Sequence, residues 1–135
     1  MAHNQISFFT YRQDLDSGTH VVYLDQTPFG VELPSGTTIG AEVTFTSSGS
    51  VVGYCGIERW LMSWRLSATD EVSSYNADMY ETRVGQAGGA SGVLDSVEAI
   101  SALGGAAFGF YFKPHAPGVD WTIRGIYWAD DREGP

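Results

Sequence analysis

A chain of 135 residues, 43% of them hydrophobic and 13% aromatic, can close one core without staples and is too short for two. Wholesale disorder is therefore excluded, and a single β-rich domain over residues 1–135 is expected. Sixteen acidic residues against seven basic ones give a formal charge of −9, which repels phosphate and argues against nucleic acid or an anionic membrane surface as a partner.

The first stretch, MAHNQISFFTYRQD, has no basic leader, no extended apolar core and no small-residue cleavage site. A cytoplasmic protein, one released without a signal peptide, or a virion component is expected. No apolar run is long enough to span a bilayer. The pattern then reads at period two, as strands do: Ile6, Phe8 and Thr10 alternate with Ser7, Phe9 and Tyr11, and His20, Val22 and Leu24 with Val21, Tyr23 and Asp25. Between them, Asp14-Leu15-Asp16-Ser17-Gly18 has two ligands and the glycine of a calcium loop but lacks the third acidic position and the distal glutamate. A plain turn with Asp16 bonding its own backbone is favoured over Ca²⁺ at Asp14 and Asp16, and no other cofactor is implied. After turn signals at Pro28 to Gly30 and Pro34-Ser35-Gly36, a third strand carries Ala41, Val43 and Phe45 on one face.

Cys55, the single cysteine, excludes an internal disulfide or a thiolate metal cluster and reads as a small buried strand residue. The stretch ERWLMSWRL follows. On a helix Trp60 and Trp64 would stack one turn apart; on a strand they share a face with Met62 and Leu66. The β-branched, glycine-punctuated VVGYCGI before it favours a strand running to about Ser67, with that face in the core. SATDEVSSYN then reads as a turn, placing Tyr75, Asn76 and Asp78 in a loop, and MYETRV as the next strand. In SGVLDSVEAISALGG, Val93, Val97, Ile100 and Leu103 recur at three- and four-residue steps, with Ser91 placed to cap and Gly104 to terminate, which predicts a short helix over 92–103. FGFYFK and VDWTIRGIYW close the series. In the latter, Val119, Trp121, Ile123 and Tyr127 share one face, while Thr122, Arg124, Ile126 and the more exposed Trp128 share the other and lead into Asp130, Asp131 and Glu133.

Seven or eight strands at roughly ten-residue spacing predict an all-β, mainly antiparallel sandwich or jelly-roll-like domain with that one helix. The usual catalytic signatures are missing: no G-x-S-x-G, no paired histidines among His3, His20 and His115, no phosphate-cradling glycine loop. Two carboxylates of a glycosidase need only be close in space, and the sequence singles out no such pair. Recognition without catalysis is therefore expected. Sugars ask for an exposed aromatic plane beside acids, amides and an arginine, a set offered by Trp128 with Arg124 and Asp130, or by Tyr75, Asn76 and Asp78. A lectin-like domain binding a glycan or cell-surface carbohydrate, and forming a homo-oligomer, is the first reading. The second is a structural or receptor-binding subunit of a phage-like virion or other multi-copy assembly, with exposed aromatics as intersubunit anchors. The third is a small barrel enzyme or carrier with Trp60, Trp64 and Phe112 lining an interior pocket.

Overall fold

The structure, a computed structural model, describes residues 5–48, 56–68, 71–84, 94–102 and 107–130. His3, Cys55, Ser91, Val93, Leu103, Gly104, Asp131 and Glu133, all weighed above, lie outside the described residues. Eight strands are present among the described residues: β1 (Ile6–Leu15), β2 (His20–Leu24), β3 (Thr38–Ser48), β4 (Gly56–Ala68), β5 (Glu71–Val84), β6 (Leu94–Ala102), β7 (Ala107–Pro114) and β8 (Val119–Asp130). They form a five-stranded sheet ordered β1-β8-β3-β4-β5 and a three-stranded sheet ordered β2-β7-β6, with every pairing antiparallel. The first two strands pair with the last two, β1 with β8 and β2 with β7, the wrapping of a jelly roll; β3 to β5 instead run as a meander within one sheet.

The alternation read from the sequence is what separates core from surface. Ile39, Ala41, Val43 and Phe45 of β3 are paired with Trp64, Met62, Trp60 and Glu58 of β4 and with Ala129, Tyr127, Gly125 and Ile123 of β8, so all point inward. Against them the three-stranded sheet sets Phe108, Phe110 and Phe112, each fully buried. Phe45 meets Phe110 edge-on at 5.6 Å and Trp121 at 6.4 Å, an arrangement that suits the ring quadrupoles. Trp64 ties the layers together: its indole Nε1–H lies 3.1 Å from the carbonyl of Ile100 and 3.0 Å from that of Gly109, both in the opposite sheet.

Two expectations are corrected. Residues 94–102 of the predicted helix are strand β6, paired along its length with β7. The aromatic strand β7 needs a second neighbour to satisfy its backbone, and the small Ala99 on the inward face of β6 fits a layer already filled by Trp64 and the phenylalanines; this tertiary demand overrides the three- and four-residue spacing. Likewise, residues 71–76 belong to β5 rather than to a turn, because Leu66 and Trp64 find strand partners in Val72 and Tyr75. Tyr75, Asn76 and Asp78 therefore stand on a strand and not in a loop.

Candidate functional site

The outward face of the five-stranded sheet carries its functional side chains in transverse rows fixed by register. One row runs Phe9, Arg124, Thr44, Arg59, Glu81, taking one residue from each of β1, β8, β3, β4 and β5. The next runs Ser7, Ile126, Glu42, Leu61, Asp78, and the one after it Trp128, Gly40, Ser63, Asn76. Strands about 4.8 Å apart put Arg124 and Arg59 roughly 10 Å apart at their backbones, with Thr44 between them.

Residues of the first two rows line an open trough of about 460 Å³, a size in the range of small-ligand sites. Its rims are aromatic. Phe9 is 69% exposed on β1, and Tyr80, 50% exposed on β5, faces it from the other side. Tyr80 reaches the trough because β5 is bulged: Arg59 pairs with Glu81 and Trp60 with Met79, leaving Tyr80 as the extra residue and re-aiming its side chain. Arg124, Arg59, Glu42 and Thr44 supply the polar lining. Arg59 is held in place by Glu81 at 2.6 Å and by donation to the Thr44 hydroxyl at 3.4 Å. Arg124 is exposed, and no ion pair engages it among the described residues.

The residues singled out from the sequence are partly gathered here. Arg124 lines the trough. Trp128 shares its face of β8, four residues and about 13 Å further along. It is half-buried, with its ring lying over Gly40, where an added Cβ would stand 2.7 Å from Cζ2. Asp130 continues the same face, opposite Thr38. Asn76 and Asp78 look out from the same sheet at its far edge, joined by an amide-to-carboxylate bond of 2.8 Å. Tyr75, paired with Trp64, takes the other face of the strand, and together with Asn76 and Ala77 it lines a groove against Val97 and Glu98 of β6. The sequence reading missed Phe9, Tyr80, Arg59 and Glu42. The signal was there for Phe9, since ISFFTYR places large aromatics on both of its faces, and a strand covered on one side leaves one set exposed.

A second concavity, about 330 Å³, lies where β4 and β5 meet β6 and is lined by Glu58, Trp60, Asp95 and His115. Glu58, though 2% exposed, has both oxygens engaged, one by the Trp60 indole at 3.1 Å and one by the Leu94 amide at 2.9 Å. Its carboxylate thereby fastens β6 to β4. His115 Nδ1 pairs with Asp95 at 2.6 Å on the exposed margin. Trp64 and Phe112 are packed solid in the core, and only Trp60 of that trio faces a cleft.

In the Asp14–Gly18 loop, Asp16 Oδ1 accepts the Gly18 amide at 2.9 Å and lies 3.1 Å from His20 Nε2, so the expected turn bond is made. Asp14 sits at φ 50 in a bulge of β1, and its amide donates to Asp120 at 2.7 Å. Among the described residues no three His, Cys, Asp or Glu side chains group to hold a metal ion, and no helix is long and apolar enough to cross a membrane. The Tyr11 hydroxyl also donates to Asp120, at 2.7 Å. The Asp14 amide, and then the Tyr11 hydroxyl, hold the Asp120 carboxyl below the usual carboxylate range, and the same bond pushes the Tyr11 phenol up.

No protein-family model and no curated protein matches this chain. Two solved structures align with most of its length. One is the tailspike protein gp49 of Acinetobacter baumannii bacteriophage Fri1, a capsular polysaccharide depolymerase, with a TM-score of 0.46 and 8% identity over 91% of this chain and 17% of that one. The other is the tailspike protein of Acinetobacter baumannii phage AM24, with a TM-score of 0.46 and 11% identity over 93% of this chain and 25% of that one. The chain thus spans a quarter or less of the length of either.

Proposed function

We propose that this β-sandwich is a non-catalytic carbohydrate-recognition module, and that the outward face of its five-stranded sheet binds the glycan. The observation that carries this reading is the trough to which all five strands contribute: two exposed aromatic rims, Phe9 and Tyr80, around a lining of guanidinium, carboxylate and hydroxyl groups. Aromatic faces take the C–H faces of a pyranose, while Arg124, Glu42 and Thr44 donate to or accept from its hydroxyls. Trp128, on the same face, extends the surface along which an oligosaccharide chain would lie.

A glycan array, read for the unaltered chain and for Phe9→Ala, Tyr80→Ala and Trp128→Ala, tests the proposal. Selective binding lost in Phe9→Ala or Tyr80→Ala, with the unfolding midpoint unmoved, is expected; loss in Trp128→Ala as well would extend the site along β8. Full binding by both rim variants would remove the trough from consideration.

The assembly reading is supported by a different surface. On the outward face of the three-stranded sheet, Tyr23 is 57% exposed and shares its row with Gly109 and Ile100, beside Val21 and Tyr111. A subunit of a homo-oligomer or virion would use such residues as anchors. Light scattering that finds large closed rings or tubes, together with a silent glycan array, would favour it.

A further inference from the structure

We infer that the trough selects acidic glycans, with Arg124 receiving the carboxylate of a uronic or comparable sugar acid; this rests on the carbohydrate reading of the same site. A chain of charge −9 repels anions over most of its surface. Only seven of its residues are basic, and two of them converge on this one concavity, where Glu42 is the acidic partner in the lining.

The two arginines are not equivalent. Arg59 is neutralised and braced by Glu81 at 2.6 Å, with Thr44 as a second anchor. It is a rigid wall of the trough rather than an available charge. Arg124 stands exposed in the same row, beside the Phe9 ring and without an ion pair among the described residues. A planar guanidinium matches a carboxylate through two parallel N–H···O bonds, a geometry that a neutral hydroxyl cannot reproduce.

Glu42 sets the orientation. It occupies the neighbouring row, opposite Ile126 and Leu61, so it would repel a ligand carboxylate placed over it and accept from a ligand hydroxyl instead. The sugar acid is therefore directed with its carboxylate toward Arg124 and Phe9 and its hydroxyl edge toward Glu42. One uncompensated guanidinium beside one carboxylate matches a ligand with a single negative charge per sugar, not a densely charged one.

The experiment compares paired probes that differ only in charge: tetragalacturonate and oligosialic acid against their carboxyl-reduced counterparts, with a sulfated oligosaccharide alongside, immobilised and read at low and high salt. One charge-assisted bidentate pair predicts about a 10- to 100-fold preference for the carboxylated member, weakening as salt rises. Arg124→Met should bring its binding down to the level of the reduced sugar, and Arg124→Lys should recover only part of it. Phe9→Ala should weaken both members. Equal binding of the two members, both still dependent on Phe9, would overturn the acidic preference and leave the carbohydrate site standing. Preference for the sulfated probe, or acid binding that survives Arg124→Met, would also overturn it. Failure to bind any glycan, in the presence of a native unfolding transition, would sink both readings together.

Discussion

At the scale of single residues, the two kinds of aromatic in this protein answer to different forces. Trp64 is wholly buried and bonds two carbonyls of the opposite sheet, so truncation would open a cavity and orphan those contacts at once. Trp64→Ala is expected to cost roughly 3 to 5 kcal/mol in urea unfolding, whereas Phe9→Ala, on a ring that is 69% exposed, should stay within about 0.5 kcal/mol. A similar loss from both would mean that Phe9 is covered in solution. Much of this division was legible in the chain: the period-two set Trp60, Met62, Trp64, Leu66 does face inward, because backbone pleating alone fixes which side a strand residue takes. Trp60 departs from it in degree, half-buried beside the concavity it lines with Glu58 and His115. Gly125 shows what the chain could not announce. An added Cβ there would stand 2.0 Å from the Glu42 carbonyl, a close approach that depends on the neighbouring strand and leaves no mark in the local pattern.

At the scale of elements, the junction of β1 and β8 is held by Asp120. Its carboxylate accepts from the Asp14 amide and the Tyr11 hydroxyl, fixing the bulge through which β1 changes register after Arg12. Because the Asp120 carboxyl is held below its ordinary range in the folded state, its contribution is present above that range and is lost as pH falls through the lowered value. The unaltered chain should therefore lose thermal midpoint more steeply than Asp120→Asn, which lacks this linkage, as the pH falls below the ordinary carboxylate range. Parallel curves for the two would deny the bond a role. Tyr11 has the opposite sign, its raised phenol contributing stability that is lost as pH climbs through the raised value. Strand β6 teaches a related lesson about elements. Leu94 to Ala102 carries helical spacing, yet β7 needs a neighbour, and edge pairing with β7 decides the outcome. The same applies to β5, whose first residues read as a turn until their partners on β4 are known.

At the scale of the whole molecule, the chain closes by pairing its ends. Tyr11 and Asp120 bond across 109 positions, and Tyr127 donates to the carbonyl of Asp25 at 2.9 Å across 102. Loops of that length must close before β1 or β2 can find its partner, so refolding from urea is expected on the millisecond-to-second scale, as a stopped-flow trace of tryptophan emission would record. Microsecond folding would contradict the non-local pairing. The trough itself belongs to this scale. Phe9, Arg124, Thr44 and Arg59 come from four strands dispersed along the chain and become neighbours only through strand order and register.

The sequence by itself determined a mainly antiparallel β chain, the facing of β3, β4 and β8, and the burial of Trp64 and Trp121, since alternation and apolarity are local properties of the backbone and side chains. It also marked Arg124 and Trp128 as outward partners on one strand. Only the tertiary structure decided that residues 94–102 form a strand, that Tyr75 takes the opposite strand face from Asn76 and Asp78, and that Arg124 joins Phe9 and Arg59 in one trough. Those outcomes depend on which strand lies beside which, a choice made by the fit of the whole core and invisible to any window of sequence.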